Sequence, residues 1–555
     1  MRRFAGRALA CLALLAGCAA CAREVDSAGD DAPRSASERP ADGDTFIRPL
    51  VGNISGLIPN ITSDAHSHEV GSLIYDSLVT FNRDQRFIGQ LAESWVQSGD
   101  CRRLDFKLRR DVRWHDGRPF TAEDVAFTYR TMIDPKTPTS YKDDFEAIER
   151  LETPDPYTVS VTYTKPLARS LMTWGMDMLP KHLLEGFVRA GKLREAPQNW
   201  NQPVGTGPYK FASMRPGEKI VLVANKDYFE GRPHLSRVVF RVIPSQSTVF
   251  LELKAKGLDS ASILSGLTAL QFTRQTGYHA FRKAYHKYRY PSNSYTYLGF
   301  NLKRPFFADR RVRQAIAHAI DKRELIDGVV LGLAREATGP YKPGSWAYNP
   351  NVKAYPYDPP RARALLAEAG WKDTNDEGIL VRDGTPFAFE LYTNQGNDER
   401  KKIAEIIQAD LREVGIAVEI RVIEWASFIK EYVKKRRFDA VILGWNITPD
   451  PDQFTIWHSS RMGPDDLNTV SYANPEVDRL LEAGRQTCVQ AERKQYYDRI
   501  QEILAEDQPY VFLYFRDALP VISSRVRGVA PGAAGISYNF REWWVPRPQQ
   551  RYTAE

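Results

Sequence analysis

The chain has 555 residues, of which 43% are hydrophobic and 26% charged, with a formal net charge of +7 at neutral pH. These values are typical of a folded globular protein, and the length predicts two to four domains rather than a single core. The charge is too small and too scattered to indicate a nucleic-acid partner. The densest basic run, Lys434 to Arg437, ends an amphipathic helical pattern, where basic residues suit a helix C-terminus.

The first residues predict export and a lipid anchor. Three arginines precede an apolar run from Ala8 to Ala16, which leads into Leu-Ala-Gly-Cys ending at Cys18. This tetrapeptide resembles the bacterial lipobox, whose cysteine is lipidated and becomes the new N-terminus. We therefore expect a lipoprotein signal peptide over residues 1–17, with an ordinary signal peptide as the alternative, and a disordered tether over residues 18–44. No other stretch reaches the roughly 18 apolar residues that a membrane-spanning helix needs.

Residues 104–130 predict a strand, a turn and a helix in one short run. Apolar and polar residues alternate at its start, which is typical of a half-buried strand. Asp116-Gly117 predicts a tight turn. Thr121 stands three residues before Asp124, a spacing that predicts a capping box and therefore a helix that begins at residue 122.

The same run, LDFKLRRDVRWHDGRPFTAEDVAFTYR, resembles the segment that marks family 5 of the extracellular solute-binding proteins. This family contains the oligopeptide- and dipeptide-binding receptors of bacterial ABC importers. Similar segments occur at LIYDSLV (73–79), LAESW (91–95) and PVGTGPYKF (203–211). The resemblance covers about residues 45 to 545, and the marker segment itself is expected to be scaffold that contacts no ligand.

The resemblance implies an α/β, two-lobed periplasmic-binding-protein-like fold with hinge strands and a small accessory domain. The implied order is lobe I (45–75), accessory domain (76–199), lobe I again (200–296), lobe II (297–516) and a return to lobe I (517–545). The residues of lobe II support this independently. An amphipathic helix from Asp398 to Gly415 leads into an alternating strand, and a nearly continuous apolar run from Phe438 to Leu443 predicts a strand buried on both faces.

Two patterns resemble binding sites for a phosphate or a metal, but each is more typical of ordinary structure. The glycines of PVGTGPYKF lack the Gly-Lys-Ser/Thr ending of a phosphate loop, so we expect a turn that leads into the next strand. His66 and His68 have no third ligand nearby and are typical of surface histidines. The sequence therefore predicts no metal and no cofactor.

The predicted ligand site begins where the buried strand ends. The segment GWNITPDPDQFTIWHS (444–459) places polar and aromatic residues just beyond a central strand, where α/β proteins usually meet ligands. In the family, a Gly-Trp segment at this point pairs its backbone with an extended peptide. The resemblance therefore places Gly444, Trp445, Asn446 and Ile447 against the ligand from one lobe, and from the other lobe three residues: Ser63, Asp64 and Ala65.

One position departs from the family pattern. Peptide receptors of this family place an aspartate shortly after Gly-Trp, where it pairs with the ammonium group of the peptide. Here that position falls at Thr448 or in a one-residue gap, and the next carboxylates are Asp450 and Asp452. Because an unpaired buried ammonium costs several kcal/mol, either Asp450 takes this role or the ligand is not a free peptide. Asp450 could equally be a turn residue before Pro451.

These observations predict a monomeric, lipid-anchored receptor in the periplasm or at the cell surface. It captures peptides and passes them to an ABC permease in the cytoplasmic membrane. A metal chelate such as a nickel chelate, an oligosaccharide or an amino-acid conjugate is the alternative ligand, and a chaperone or signalling receptor with the same fold stays open. A secreted hydrolase would need a GxSxG or HExxH motif, and the sequence has neither, so no enzyme is expected. Cys101 and Cys488 could pair in an oxidising compartment, although nothing in the sequence requires it.

Overall fold

The computed structural model describes residues 39–262 and 279–552. The predicted signal peptide over residues 1–17, the predicted lipid site Cys18 and the predicted tether as far as residue 38 lie outside the described residues. From Pro40 onward the chain forms one compact unit, and its first strand begins at Gly43. None of the helices in the described ranges is long and apolar enough to cross a membrane.

The described chain contains many short strands and helices, with several runs of consecutive strands. The strands are β1 Gly43–Leu50, β2 Val79–Phe81, β3 Phe87–Gly89, β4 Ala92–Gln97, β5 Arg103–Leu108, β6 Ile148–Asp155, β7 Thr158–Tyr163, β8 Tyr209–Arg215, β9 Lys219–Ala224, β10 Leu235–Val242, β11 Ser260–Ser262, β12 Tyr285–Lys287, β13 Tyr290–Phe300, β14 Ala334–Glu336, β15 Asp373–Thr374, β16 Leu380–Arg382, β17 Thr385–Pro386, β18 Ala388–Asn394, β19 Ala417–Ile423, β20 Ala440–Asn446, β21 Tyr510–Ala518 and β22 Pro520–Ser523. The α-helices are Ala65–Gly71, Ala122–Ile133, Asp143–Glu146, Ser170–Thr173, Lys181–Arg189, Gln246–Lys254, His279–Ala284, Pro305–Ala308, Arg310–Ala319, Lys322–Glu324, Pro359–Glu368, Asp398–Glu413, Trp425–Ser427, Phe454–Trp457, Pro475–Gln486 and Gln490–Asp507. Two π-helical turns, Leu325–Val329 and Phe428–Val433, continue short helices.

The largest sheet has six strands in the order β14-β21-β13-β20-β18-β19. β20, β18 and β19 are parallel, and the other pairs are antiparallel. Ala440 and Ile442 of β20 pack into one core cluster, whereas Val441 and Leu443 pack into a second cluster on the opposite face. The strand that the apolar run predicts to be buried on both faces is therefore confirmed.

A four-stranded sheet, β1-β10-β9-β8, joins segments that are predicted to form lobe I. β1 is parallel to β10, and the remaining pairs are antiparallel. Its core combines Phe46 and Phe240 from the sheet with Trp543 from the C-terminal segment. Segments far apart in sequence thus share one core, as the predicted return of the chain to lobe I requires. The residue limits of the predicted lobes stay predictions.

The predicted accessory range contains an antiparallel sheet in the order β4-β5-β7-β6. β5 is the strand predicted at the start of residues 104–130, and Gly117 takes a φ of +92° in the predicted turn. Thr121 and Asp124 form the predicted capping box, and the helix Ala122–Ile133 begins there. Local structure in this run follows directly from residue type.

The glycines of PVGTGPYKF lie where two chain segments approach closely. A Cβ on Gly205 would overlap the carbonyl oxygen of Ile74, and a Cβ on Gly207 would lie 2.6 Å from its carbonyl carbon. The chain then enters β8 at Tyr209. These glycines allow close backbone contact and a turn into a strand, as predicted.

Cys101 and Cys488 form a disulfide, with their Cα atoms 6.4 Å apart. Cys101 lies in the turn between β4 and β5, and Cys488 lies between the helices Pro475–Gln486 and Gln490–Asp507. The bond joins the accessory sheet to the region predicted as lobe II, and it settles the pairing that the sequence leaves open.

A buried group of four charged residues, here called the charge cluster, lies across the same junction: Asp144, Arg169, Asp452 and Arg485. Arg169 Nε lies 2.9 Å from Asp144 Oδ2, and Arg485 Nε lies 2.8 Å from Asp452 Oδ2. Arg485 also pairs with Asp144, and Arg169 lies 3.4 Å from Asp452. Two carboxylates and two guanidiniums balance, so the cluster can remain buried.

β13 and β21 cross the two boundaries predicted between lobe I and lobe II. They are adjacent antiparallel strands, with Tyr290 opposite Ala518 at one end and Gly299 opposite Tyr510 at the other. The predicted boundaries at residues 296/297 and 516/517 therefore fall in two neighbouring strands of the six-stranded sheet. This arrangement is the one expected of hinge strands.

Candidate functional site

β20 is paired along its whole length on one side only. Its antiparallel ladder with β13 covers residues 440–446. On the other side, the parallel ladder with β18 stops at Val441, and the described residues supply no strand partner there for residues 442–446. Because alternate backbone groups of a strand point to opposite sides, this open edge presents N–H and C=O groups for a further strand.

Gly444 lies in the middle of the open edge. A Cβ at this position would lie 2.7 Å from the carbonyl oxygen of Tyr295 and 3.5 Å from Nη2 of Arg400. Its φ is not in the left-handed region. Glycine is therefore required at position 444, because any side chain would meet the Tyr295 carbonyl and the Arg400 guanidinium.

Arg400 lies beside this edge, at the carboxyl ends of the parallel strands. It occupies the third position of the helix Asp398–Glu413, which Asn397 caps by accepting a hydrogen bond from Arg400 N. Arg400 as a whole residue is half-buried, and its Nη1 donates to Asn394 Oδ1 at 2.8 Å. Asn394 is the last residue of β18.

Trp425 contacts the facing part of the molecule. Its ring centroid lies 6.0 Å from that of His66, and its Cβ lies 3.3 Å from the position of a Cβ on Gly52. Trp425 Nε1 is buried and has no hydrogen-bond partner among the described residues. Since a buried indole N–H usually finds an acceptor, this N–H is an unsatisfied donor in the described part of the structure.

The predicted residues Ser63, Asp64 and Ala65 lie at the start of the helix Ala65–Gly71. The Asp64 carboxylate caps this helix and accepts hydrogen bonds from Ser67 N (2.9 Å) and Ser67 Oγ (2.7 Å). Ser63 is half-buried and Ala65 exposed. The described side chains give no hydrogen bond or ring contact between this segment and residues 444–448. His66, the next residue along the chain, contacts Trp425.

Some of the predicted residues of the other lobe, Gly444 to Thr448, already form hydrogen bonds within the protein. Trp445 Nε1 donates to Tyr510 Oη at 3.3 Å, and Ile447 N donates to Asn293 O at 2.7 Å. Asn446 and Thr448 are exposed, and Thr448 Oγ1 donates to Asp450 O at 2.8 Å. The feature that Gly444 to Asn446 share is the open backbone edge.

Both carboxylates that follow the Gly-Trp segment are paired. Asp450 accepts two hydrogen bonds from Arg493, at 2.8 and 2.9 Å, and a third from Asp452 N at 2.9 Å. Burial would raise the pKa of Asp452, but Arg485 and Arg169 outweigh it and hold the pKa below its usual value. The assignment of Asp450 to the ligand stays a prediction, and in this structure its carboxylate binds Arg493.

Sequence reasoning missed Arg400 and Trp425. The detectable signal for Arg400 was its place in the first turn of a helix that follows a parallel strand, because such a turn lies at the carboxyl edge of the sheet. Trp425 follows β19 by two residues and could have been noticed for the same reason.

A separate cavity of about 120 Å³ lies between β1 and the helix Gln246–Lys254, with Arg48, Glu69 and Ser262 in its wall. Arg48 and Glu69 form an ion pair there. The cavity is smaller than typical small-molecule sites of about 300 Å³ or more, so we assign it no ligand.

Residues 86–464 match the model for "Bacterial extracellular solute-binding proteins, family 5 Middle". The chain is 32% identical over 532 residues to the oligopeptide-binding protein AppA of Bacillus subtilis (strain 168), covering 94% of this chain and 95% of that protein.

Two solved structures are similar over almost their whole length. The structure of B. subtilis AppA in complex with a nonapeptide has a TM-score of 0.86 and 31% identity, covering 91% of this chain and all of that one. The structure of NikZ from Campylobacter jejuni in complex with Ni(L-His) has a TM-score of 0.81 and 31% identity, covering 90% and 99% of the two chains. The two-lobed α/β fold predicted from the sequence is confirmed.

Proposed function

Because this chain belongs to family 5 of the bacterial extracellular solute-binding proteins, we propose that it is the substrate receptor of an ABC importer. It captures peptides between two closing lobes and delivers them to a permease in the cytoplasmic membrane. The chain supplies binding and conformational change, with no catalytic step and no cofactor.

The observation that carries this proposal is the open edge of β20. A peptide in extended conformation adds to such an edge as a further strand, and its backbone then pairs with the N–H and C=O groups of residues 442–446. Backbone pairing binds peptides of many sequences, because it does not depend on side chains. Trp425 and His66, which meet across the two parts of the molecule, would close over the bound strand.

The predicted ligand contacts are carried forward as proposals. Gly444, Trp445, Asn446 and Ile447 contact the peptide from lobe II, together with Thr448. Ser63, Asp64 and Ala65 contact it from lobe I. Asp450 contacts the ammonium group of the peptide only if its carboxylate leaves Arg493.

A non-peptide ligand is the second candidate. The similar structure of NikZ contains Ni(L-His), so this fold also accommodates small chelates. The pairing of Asp450 with Arg493 favours this candidate, because it leaves no obvious partner for a peptide ammonium group. Oligosaccharides and amino-acid conjugates are further non-peptide candidates, and the binding screen below includes them.

The membrane attachment is also a proposal. A lipid on Cys18 would hold a monomeric receptor at the periplasmic or cell surface, within reach of its permease. Substitution Cys18→Ser should abolish incorporation of radiolabelled palmitate and move the protein from the membrane to the soluble fraction. Retention of both label and membrane attachment would contradict the lipid assignment.

The decisive experiment is a binding screen on the purified protein. Thermal unfolding is followed with peptides of two to ten residues and with nickel chelates, oligosaccharides and amino-acid conjugates. A ligand at 100 times its dissociation constant stabilises the folded state by about 2.7 kcal/mol, which is a shift of a few degrees.

The best peptide is then resynthesised with single N-methylated amides. If the peptide lies along β20, methylation should weaken binding at every second residue, because alternate N–H groups face the edge. An even loss at all positions would contradict strand addition, and stabilisation by the other panel alone would contradict peptide capture.

A further inference from the structure

A cluster of buried apolar side chains joins the accessory range to the predicted lobe I. Phe127, Leu179 and Leu184 of the accessory range pack against Ile58 and Ile61 of lobe I. The chain also crosses this boundary twice, once on entering the accessory range and once on leaving it. Two parts of a chain that share an apolar core move together, whereas polar interfaces allow relative motion. We therefore treat lobe I and the accessory range as one body.

The interface between the accessory range and the predicted lobe II is built differently, from charged groups. The charge cluster lies across it. Beside the cluster, Arg461 Nη1 lies 2.7 Å from Asp143 Oδ1, and at a further point Arg194 Nη2 lies 3.0 Å from Asp465 Oδ1. Charged surfaces of this kind can separate, because each group regains water when its partner leaves. This is the interface that can part.

The disulfide bridges this same polar interface. Cys101 belongs to the accessory range and Cys488 to lobe II, with their Cα atoms 6.4 Å apart. Two backbone hydrogen bonds connect the bond with the charge cluster: Leu167 N donates to Cys101 O at 3.3 Å, and Ala168 N donates to Arg485 O at 2.6 Å. A disulfide keeps its two Cα atoms within about 7 Å of each other. While it is intact, the two surfaces cannot part at this point.

Opening of the cleft requires that they do part. β13 and β21 connect lobe I with lobe II and form the expected hinge. The lobes also touch beyond the hinge, where Ser247 Oγ of lobe I donates to Asp398 Oδ2 of lobe II at 2.9 Å. When lobe II turns away from lobe I about the hinge, it also turns away from the accessory range, which moves with lobe I. The disulfide opposes that motion.

We propose that the Cys101–Cys488 disulfide is a redox-sensitive latch that holds the receptor closed, and that its reduction permits the cleft to open and exchange ligand. The reductant is a dithiol, which supplies two electrons and two protons. The S–S bond breaks, each cysteine becomes a thiol, and the dithiol becomes a disulfide. This inference rests on the proposed function, since it concerns the regulation of the same site.

The charge cluster keeps the reduced interface reversible. After reduction, closure forms its ion pairs and opening hydrates the same groups, so that pairing and hydration largely offset each other. The open and closed states then lie close enough in free energy for a ligand to shift their populations. The disulfide thus decides whether the cleft can open, and the ligand decides how often a reduced receptor is closed.

The test measures the shape of the ligand-free protein by small-angle X-ray scattering. It uses residues 40–555, the compact unit of the fold, in which Cys101 and Cys488 are the only cysteines of the sequence. The oxidised protein should have the smallest radius of gyration. Dithiothreitol, or the double substitution Cys101→Ser and Cys488→Ser, should increase the radius by roughly 1 Å from the value of about 24 Å that is typical of a compact chain of this size.

The matched control is Ile407→Ala, which destabilises the core of lobe II but leaves the disulfide in place. It should keep the small radius until dithiothreitol is added, whereas the double variant should not respond to the reductant. Circular dichroism on the same samples should show unchanged helical content, because unfolding would also enlarge the protein. Equal radii for the oxidised protein and the double variant would overturn the latch.

A second measurement follows ligand exchange directly. The tightest compound from the binding screen, fluorescently labelled, should dissociate at least tenfold more slowly from the oxidised protein than from the reduced protein or the double variant. Equal dissociation rates would also overturn the latch. The scattering samples contain no ligand, so a failed latch leaves peptide capture intact, and a screen without a peptide ligand overturns peptide capture without changing the scattering result.

Discussion

Asp450 and Arg493 face each other through two parallel hydrogen bonds, of 2.8 and 2.9 Å, in a part of the protein where both side chains are largely buried. The carboxylate nearest in sequence to the position that the family uses for a peptide ammonium group is therefore already neutralised.

This relationship predicts that Asp450→Asn is destabilising. The change leaves the Arg493 guanidinium, 7% exposed, without its counter-charge, and we expect a loss of about 3 kcal/mol in the free energy of unfolding. Urea denaturation measures it. The control is Glu476→Gln, which breaks the exposed pair with Arg499 and should cost less than about 1 kcal/mol. If Asp450 instead binds the peptide ammonium group, the variant will lose its preference for free over N-acetylated peptides at unchanged stability.

A second prediction concerns Gly444→Ala. The added methyl group would crowd the Tyr295 carbonyl and the Arg400 guanidinium, so we expect about 1–3 kcal/mol of destabilisation together with weaker ligand binding. Gly186→Ala is the control, because Gly186 lies in the helix Lys181–Arg189 with nothing within 4 Å of a Cβ. That change should stabilise by about 0.5–1 kcal/mol and leave affinity unchanged. Unaltered binding by Gly444→Ala would show that the edge does not contact the ligand.

The disulfide gives a third prediction. Replacing Cys101 and Cys488 by serine should lower the free energy of unfolding by about 2–5 kcal/mol, because the bond constrains two residues that are 387 positions apart. Urea denaturation of the wild-type protein with and without dithiothreitol should reproduce the loss. The double variant should not respond to the reductant, and a response would point to another reducible group.

The fourth prediction is a pH dependence that arises at Asp143. Burial raises the pKa of this carboxyl group to about 7, against the opposing effects of Arg461 and Arg485, and Asp144 and Glu146 raise it further. The unfolded chain releases the same proton near pH 3.9. Between these values the folded protein binds more protons, so this group's contribution to stability is complete below about pH 4 and is lost as the pH rises through about 7.

Asp143→Asn should therefore flatten the decline of the unfolding free energy between about pH 4 and pH 7. The difference in slope can reach at most about 1.4 kcal/mol per pH unit, the value for one proton. Glu149→Gln is the control, because it removes an exposed carboxylate that pairs with Arg102 and not with the partners of Asp143. Parallel curves for the Asp143→Asn and wild-type proteins would exclude Asp143 as the source.

Local elements were predictable where the controlling residues are neighbours in sequence. The capping box of Thr121 and Asp124 and the apolar run that becomes β20 both depend on residues within a few positions of each other. Which charged side chains of the candidate site are paired was not predictable in this way. Asp450 meets Arg493 from 43 positions away, and Arg485 meets Asp144 from 341 positions away. Whether a charge is free or paired therefore depends on tertiary contacts, which local patterns do not contain.

The pairing of β13 with β21 has a consequence for how such receptors can be rebuilt. The chain enters and leaves the predicted lobe II through two hydrogen-bonded neighbours, with Tyr297 opposite Phe512 and their backbones roughly 5 Å apart. Lobe II is thus connected like an insertion whose two ends meet at one place, a geometry that tolerates exchange of the inserted part. A cassette cut at these two strands could be exchanged between relatives, carrying the β20 edge and Arg400 with it while the rest of lobe I keeps its own connections.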